Sequence, residues 1–117
     1  MHEIKPREVR IYVAENKRKP YLDWLNGLSV SVRGIIRNRI NRIRLGNLGD
    51  TKPVGNGVHE IRINFGSGYR IYYGLDGDTI VLLLTAGDKS TQTKDIKQAK
   101  LYWNDYKENK ENYEREL

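Results

Sequence analysis

Residues 58–86 constrain the fold of this 117-residue chain most, because they read as three consecutive strands joined by two short turns. Apolar and polar residues alternate through the first two strands, as they do in a sheet with one buried face. The glycine-rich residues 66–68 fit a three-residue hairpin loop, and Asp76-Gly77 is a strong turn signal before the third strand. Residues 79–86 are apolar on both faces, which predicts that the third strand is central in the sheet.

Strand parity brings polar side chains together on the face of this hairpin that is opposite to its apolar residues. Alternate residues of a strand point to opposite faces, so Arg62 and Asn64 share a face of the first strand. By the same rule, Arg70 and Tyr72 share a face of the second strand. A loop over residues 66–68 pairs Asn64 with Arg70 and Arg62 with Tyr72, whereas a shift of one residue would split both faces. The pattern therefore predicts one cluster of two arginines, an asparagine and a tyrosine.

The rest of the chain predicts one more strand, over residues 7–13, and three helices. Pro20 can start a short helix, and Ser29 or Ser31 can cap a longer one that runs to about Leu45. The last helix begins near Thr91, and its buried stripe comprises Ile96, Ala99, Tyr102, Trp103 and Tyr106. The order strand, two helices, three strands, helix predicts an α+β fold with a mostly antiparallel four-stranded sheet.

Positive charge is concentrated in the body of the chain. The net charge is +6, and the isoelectric point is near 9.6. Residues 1–103 carry 18 Lys and Arg against 10 Asp and Glu, a net of +8, and residues 104–117 carry 3 against 5, a net of −2. A positive field of this kind favours a polyanionic partner.

Composition and length exclude several classes of protein. The chain has no cysteine, which excludes a disulfide framework and a thiolate metal site and favours the reducing cytoplasm. It has no apolar run near the ~20 residues of a membrane helix, and its N-terminus lacks the apolar core of a signal peptide. We expect one cytoplasmic domain over residues 1–117, with a polar tail over residues 107–117 that frays.

Four blocks of sequence carry a family resemblance. They are Tyr21-Leu22-Asp23-Trp24-Leu25, Gly57-Val58-His59-Glu60-Ile61-Arg62, Gly68-Tyr69-Arg70-Ile71-Tyr72-Tyr73, and residues 83–92 followed by Asp95-Ile96. Each block alone is weak evidence. In this order and spacing, over about residues 12–106, the chain resembles the RelE/ParE superfamily of bacterial toxins. Within that superfamily it resembles the phage-associated, HigB-like branch of "addiction module killer" proteins.

The resemblance implies the toxin of a type II toxin–antitoxin system, with a RelE-like fold. In this branch the antitoxin is usually a small helix-turn-helix, HigA-like protein, and we expect oligomers only through it. The RNA-cleaving relatives cut messenger RNA in the ribosomal A site with basic residues on the sheet, and they need no metal or cofactor. We therefore expect a ribosome-dependent mRNA endoribonuclease. The alternatives are a DNA gyrase poison on the same fold and a catalytically silent RNA- or protein-binding module.

The residues of the predicted cluster suit metal-independent RNA cleavage, in which a ribose 2′-OH attacks the adjacent phosphate. Arg62 and Arg70 are assigned to the phosphate, because an arginine fork binds two oxygens and stabilises the developing charge. Lys89, after the third strand, adds a cation, and Tyr72 positions the sugar or stacks on a base. These four residues are the predicted catalytic set. Neither general base nor general acid is assigned, since His59 has a suitable pKa but faces away from Arg62.

A second set of residues is predicted to bind RNA. It comprises Lys52, Asn64, Arg33, Arg37, Arg44 and Lys94. The three arginines lie on one flank of the long second helix, which carries five arginines without matching acids. Lys94 begins a basic row on the last helix that could also dock an acidic antitoxin segment.

Each assignment has a purely structural alternative. Arg62 and Arg70 could be solvated cross-strand residues with Glu60 as their ion-pair partner. The helix arginines could form a solvated face, and residues 88–91 could be only a helix-entry turn with a serine or threonine cap. His59 could be a half-buried strand residue.

Overall fold

A computed structural model describes residues 5–116 as a layered α+β structure. The elements are β1 (Glu8–Tyr12), α1 (Pro20–Asn26), α2 (Val30–Arg44), β2 (Thr51–Gly55), β3 (Val58–Ile63), β4 (Tyr69–Asp76), β5 (Ile80–Asp88), a 3₁₀ turn (Lys89–Thr91), α3 (Gln92–Glu108) and β6 (Tyr113–Arg115). The predicted α+β class is confirmed. The predicted four-stranded sheet is wrong, because β2 and β6 raise the number of strands in the described range to six.

The six strands form one sheet in the order β2-β3-β4-β5-β1-β6. Every neighbouring pair is antiparallel except β1 and β5, which run parallel. Strand β5 is central and buried on both faces, as its apolar sequence predicts. Strands β2 and β6 are the two edges of the sheet.

Strand β2 was missed, although the sequence carries a signal for it. Gly55 pairs with Val58, so Asn56 and Gly57 form a two-residue hairpin loop. Their φ angles of 57° and 83° are both positive, as in the type I′ turn that favours Asn-Gly. Pro53 lies within β2, which an edge strand tolerates because it has no partner on one side.

The hairpin of β3 and β4 keeps its predicted faces but not its predicted register. Arg62 pairs with Arg70 and Ile63 with Tyr69, so the loop spans residues 64–68 rather than 66–68. Phe65 therefore does not pair with Tyr69 and is 46% exposed in the loop. Because the register shift is two residues, the side chains that remain within β3 and β4 stay on their predicted faces, whereas Asn64 and Phe65 lie in the loop.

Helices cover both faces of the sheet and form two cores. Helices α1 and α2 cover one face, where Ile36, Ile40 and Ile43 of α2 pack against β-strand residues such as Ile61 and Ile71. Helix α3 covers the other face through Ala99, Trp103 and Tyr106. Ser29 caps α2 by accepting a hydrogen bond from the Val32 amide at 3.4 Å. None of these helices is both long and apolar enough to cross a membrane.

The expected frayed tail is instead part of the sheet, as far as Glu116; Leu117 lies outside the described residues. Helix α3 continues to Glu108, and β6 pairs antiparallel with β1. The Glu116 amide donates to the Val9 carbonyl at 3.0 Å, and the Arg10 guanidinium lies 3.9 Å from the centre of the Tyr113 ring. Composition alone predicted fraying, but the open backbone groups of β1 supply a partner for this segment.

Candidate functional site

A fully buried carboxylate, that of Glu60, lies at the centre of the predicted polar face. Its Oε1 accepts a hydrogen bond from Arg62 Nε at 3.0 Å, and its Oε2 accepts one from Gln92 Nε2 at 2.8 Å. Gln92 is the first residue of α3. The helix on this face thus helps to hold the group that orients Arg62.

Two more cations surround this carboxylate. Arg70 Nε lies 3.8 Å from Glu60 Oε2, and Lys52 Nζ lies 4.0 Å from Oε1. We call Lys52, Glu60, Arg62, Arg70, Tyr72 and Gln92 the Glu60 cluster. Its three cations and one carboxylate leave a net charge of about +2, which suits a phosphate.

Opposing effects act on the pKa of Glu60. Burial alone would raise it, but the hydrogen bonds from Arg62 and Gln92 and the charge of Lys52 hold the pKa below its ordinary value. Glu60 is therefore ionised at neutral pH and acts as an anchor for cations rather than as a proton donor.

The two arginines differ in how much of each can reach a ligand. Arg62 is 36% exposed, and its Nε holds Glu60, which leaves the outer nitrogens of its fork towards solvent. Arg70 is only 12% exposed. Its Nη1 donates to the Gly68 carbonyl at 3.2 Å, and its buried Nε has no hydrogen-bond partner among the described residues. Both arginines thus form the expected ion pairs with Glu60, but Arg70 is not the solvated residue of that alternative, and Arg62 keeps donors for a ligand.

Tyr72 cannot have the role predicted for it, because its side chain has no exposed surface. A nucleobase cannot stack on a ring that solvent does not reach. Burial and the nearby charge of Glu60 raise the pKa of Tyr72, and its hydroxyl makes no hydrogen bond of normal geometry within the described range. Tyr72 belongs to the hydrophobic core between the sheet and α3, next to the cluster.

Lys89 and Asn64 lie near the loop that joins β3 to β4. Lys89 is exposed in the 3₁₀ turn, and its Cβ lies close to Gly68, whose carbonyl binds Arg70. Asp88, rather than a serine or threonine, caps this turn by accepting from the Ser90 amide at 2.8 Å. Asn64 is exposed and lies in the loop, beyond the end of β3.

Asp95 is a residue near this site that the sequence reasoning missed as a functional group. Its carboxylate packs against Gly87, where an added Cβ would lie 1.9 Å from Oδ2, and Gly87 pairs with Arg70. Burial raises the pKa of Asp95, although Thr91 Oγ1 donates to Oδ2 at 2.5 Å and Lys94 opposes the shift. The sequence signal for this contact is Gly87, a residue without a side chain at the end of an apolar strand, which leaves room for a side chain of the following helix.

Two of the three predicted RNA-binding arginines of α2 lie beside β6, at the edge of the sheet remote from β3. Arg37 lines a groove with residues of β6, and Arg44 forms an ion pair with Glu116 and donates to its carbonyl at 2.9 Å. Arg33 is half-buried near the start of the helix. Arg39 and Arg42, on the other flank of α2, line a cleft together with Arg62.

The remaining predicted residues lie as follows. Lys94 is exposed on the first turn of α3. His59 stacks on Tyr73 with the ring centres 5.2 Å apart, on the face covered by α1 and α2, and burial lowers its pKa. His59 is thus the half-buried strand residue of the alternative interpretation. Within residues 5–116, no group of three or more histidine, aspartate or glutamate side chains is arranged to hold a metal ion.

Comparisons with known proteins give one family and one relative. A family model described as "Phage derived protein Gp49-like (DUF891)" matches residues 23–113. An "Uncharacterized protein" of Haemophilus influenzae (strain Rd) is 49% identical over 79 residues, which cover 67% of this chain and 80% of the relative. No solved structure matches the chain.

Proposed function

Because this chain belongs to the phage-derived Gp49-like family, which is of the RelE and addiction-module toxin type, we propose that it is the toxin of a type II toxin–antitoxin system. We propose further that it cleaves messenger RNA on the ribosome and has the HigB-like character and RelE-like arrangement that its sequence resembles. The observation that carries the proposal is the Glu60 cluster, a net positive site on a sheet face with a half-exposed arginine at its mouth.

The proposed reaction is an internal transfer that needs no added reactant. The ribose 2′-oxygen attacks the adjacent phosphorus, the bond from phosphorus to the 5′-oxygen breaks, and a 2′,3′-cyclic phosphate remains on the upstream fragment. One group takes the 2′-OH proton and another protonates the leaving 5′-oxygen. The outer donors of Arg62 bind the phosphate oxygens, and Lys89, Lys52 and Arg70 add to the field that stabilises the extra negative charge.

The residue proposed for proton transfer is Asp95. It packs against Gly87, which pairs with Arg70, and its raised pKa brings it nearer to the range in which a carboxyl exchanges protons efficiently. Asp88, nearer to Lys89, has a pKa lowered by its hydrogen bonds to Ser90 and suits capping instead.

The proposed partner is a helix-turn-helix, HigA-like antitoxin that provides any oligomer. An acidic segment of it would find cations both at the Glu60 cluster and on the exposed face of α3 at Lys94 and Lys97. Covering the first surface would block RNA directly.

Expression of the chain without a partner tests the function. We expect growth arrest and new mRNA 5′ ends in codon register, with no cleavage of naked RNA at comparable efficiency. Supercoiling by purified gyrase, measured in parallel, should be unaffected. Inhibited supercoiling with intact messenger would replace the proposal by the gyrase poison, and neither effect would leave the silent binding module.

A further inference from the structure

A cleft of about 230 Å³ lies between α2 and the end of β3, on the α1/α2 side of the Glu60 cluster. Its lining residues are Ile35, Arg39, Arg42, Arg62, Ile63 and Asn64. We call it the arginine cleft. Strand β2 pairs with β3 only as far as Ile61, so beyond that residue β3 has a strand neighbour on the β4 side alone, although the Arg62 amide still donates to the Asp50 carbonyl at 3.0 Å.

Arg39 is held in place before any ligand arrives. Its Nη2 donates to the Leu48 carbonyl at 2.6 Å, and its guanidinium packs over Gly49, where an added Cβ would lie 1.8 Å from Nη2. Its Nη1 is buried and has no hydrogen-bond partner in the described part of the chain. Arg39 as a whole is half-buried, so its guanidinium offers a ligand a fixed positive charge at the cleft rather than a contact to the buried Nη1.

The charge of this cleft is not neutralised by its own lining. Three of the six lining residues are arginines and none is an acid. Neither Arg39 nor Arg42 forms an ion pair with any described carboxylate. Burial and the neighbouring Arg42 lower the pKa of Arg39, and the opposing charge of Asp50 does not outweigh them. An anion entering the cleft would relieve this repulsion.

We propose that the arginine cleft is a second phosphate-binding site, which takes a phosphodiester of RNA next to the one held at the Glu60 cluster. Arg62 belongs to both sites, because it binds Glu60 through Nε and also lines the cleft. An RNA strand would therefore pass from the sheet face over the end of β3 and onto the Arg39/Arg42 flank of α2. Asn64, at the same rim, offers an amide to a base or ribose.

This inference rests on the proposed function only in taking RNA as the ligand, and it can be tested by binding alone. The probe is a short single-stranded oligonucleotide with 2′-O-methyl riboses, which lack the attacking hydroxyl and cannot be cleaved. Fluorescence anisotropy between 50 and 200 mM salt gives the slope of log K against log salt, which is about −0.7 for each phosphate contact of a single strand. Binding to purified ribosomes, measured by sedimentation, distinguishes a ribosomal phosphodiester from one of the messenger.

The test compares two arginines of the same helix. Arg42 is exposed and faces the cleft, whereas Arg37 is exposed and faces β6. Arg42→Gln should flatten the slope by about 0.7. Between 50 and 200 mM salt the affinity of this variant for the oligonucleotide should therefore fall by a factor about 2.6 times smaller than the affinity of the wild type does. Arg37→Gln should leave the slope unchanged, and Arg42→Lys should restore it, because the cation is kept.

Each result of this comparison either supports the second phosphate-binding site or overturns it. A flattened slope on the oligonucleotide assigns the phosphate to the messenger, and one seen only with ribosomes assigns it to ribosomal RNA. An equal effect of Arg42→Gln and Arg37→Gln, or no effect of Arg42→Gln on either probe, overturns the second site even if the chain cleaves messenger. A flattened slope without any messenger cleavage would keep the site and refute the endoribonuclease.

Discussion

Helix α2 carries arginines on both of its flanks, and one flank faces the end of β3 whereas the other faces β6. On one flank, Arg39 and Arg42 line the arginine cleft together with Arg62 of β3. On the other, Arg37 and Arg44 face β6, where Glu116 pairs with Arg44. The residue type, the helix and the formal charge are the same on both flanks, so the difference comes from what each flank faces.

The β6 edge neutralises its cations with nearby acids. Its ion pairs are Arg44–Glu116, Lys19–Glu114 at 2.7 Å and Arg115–Glu8 at 3.2 Å. The acids at 114 and 116 come from the acidic C-terminal segment, which reaches this flank because β6 pairs with β1. Ion pairs of this kind stabilise a protein little, but they remove the local positive potential that would attract RNA.

The side of the molecule at β3 leaves most of its positive charge unbalanced. Glu60 is the one carboxylate of the Glu60 cluster, and the lining of the arginine cleft has none. The comparison shows that the number of arginines on a helix does not identify a nucleic-acid surface. The position of the acids that neutralise them in the folded chain decides which flank remains cationic.

The largest difference between the two flanks is expected in the rate of messenger cleavage. Arg62→Ala should lower messenger cleavage on the order of 10²-fold or more, because it removes donors to the developing charge. Arg37→Ala, the matched change on the other flank, should leave the rate within about twofold, since an exposed side chain remote from the site contributes no such contact. Cleavage assays at equal expression, with thermal melting to show that both variants fold, decide it. Equal losses would contradict the assignment of chemistry to the β3 side.

Asp95 offers the next largest effect. Asp95→Asn should lower the cleavage rate about 10²-fold, as expected on loss of a general base, which must be ionised to accept the 2′-OH proton. It should also abolish the acidic limb of the pH–rate profile. Because the pKa of Asp95 is raised, that limb should lie above the ordinary aspartate value of about 3.9 in the wild type.

Thr91→Val is the control for a purely structural role of Asp95. It removes the hydrogen bond from Thr91, which lowers the pKa of Asp95, but keeps the carboxylate. The limb should therefore move to higher pH while activity persists. An unmoved limb in both variants would mean that Asp95 only stabilises the start of α3.

The free energy of unfolding allows a comparison of the buried Glu60 cluster with the β6 edge of the sheet. Glu60→Gln should cost about 2–3 kcal/mol in the free energy of unfolding at pH 7, because it leaves the largely buried Arg70 without its counter-charge. Glu114→Gln, which breaks an exposed pair on the β6 edge, should cost less than about 1 kcal/mol. Urea unfolding of both variants measures the difference, and equal costs would show that burial of Glu60 adds nothing.

The pH dependence of the Glu60 contribution has a definite sign. The folded-state pKa is below the ordinary value of about 4.3, so the stabilisation is present above that pH and is lost as pH falls through the folded pKa. The gap between the wild type and Glu60→Gln should therefore narrow below about pH 4. A gap that stays constant from pH 7 to pH 3 would contradict the ionised state of Glu60.

The smallest effect is expected at the β6 edge itself. Glu116→Gln should free Arg44 and steepen the slope of log K against log salt for RNA binding by up to about 0.7. The same anisotropy titration measures it. If the slope does not change, Arg44 remains out of reach of RNA even when its partner is neutral.

Much of the fold was predictable because it depends on local patterns. Alternation of apolar and polar residues predicted β3, β4 and their faces, the continuous apolar run of β5 predicted its central place, and Ser29 was among the predicted caps of α2. The same patterns placed Arg62 and Arg70 on one face. Asn56-Gly57 is also a turn signal in the sequence, and β2 was not predicted because that signal was not used.

Other features depended on contacts between distant residues. The register of β3 and β4 is set by a five-residue loop that leaves Phe65 exposed, and no periodicity distinguishes registers two residues apart. The pairing of β6 with β1 overrode a composition typical of fraying. Burial of Tyr72 under α3 follows from helix packing on the sheet.

The sequence by itself determined the class of fold, the apolar and polar faces of the central hairpin, and an excess of positive charge in the body of the chain. Those properties are sums or periodicities over neighbouring residues. Only the tertiary structure decided that Glu60 is buried among cations, that Asp95 packs against Gly87, and that Arg44 rather than Arg42 is neutralised. Electrostatic attraction and desolvation depend on distance and burial in space, so residues far apart in the chain decide which charges remain available to RNA.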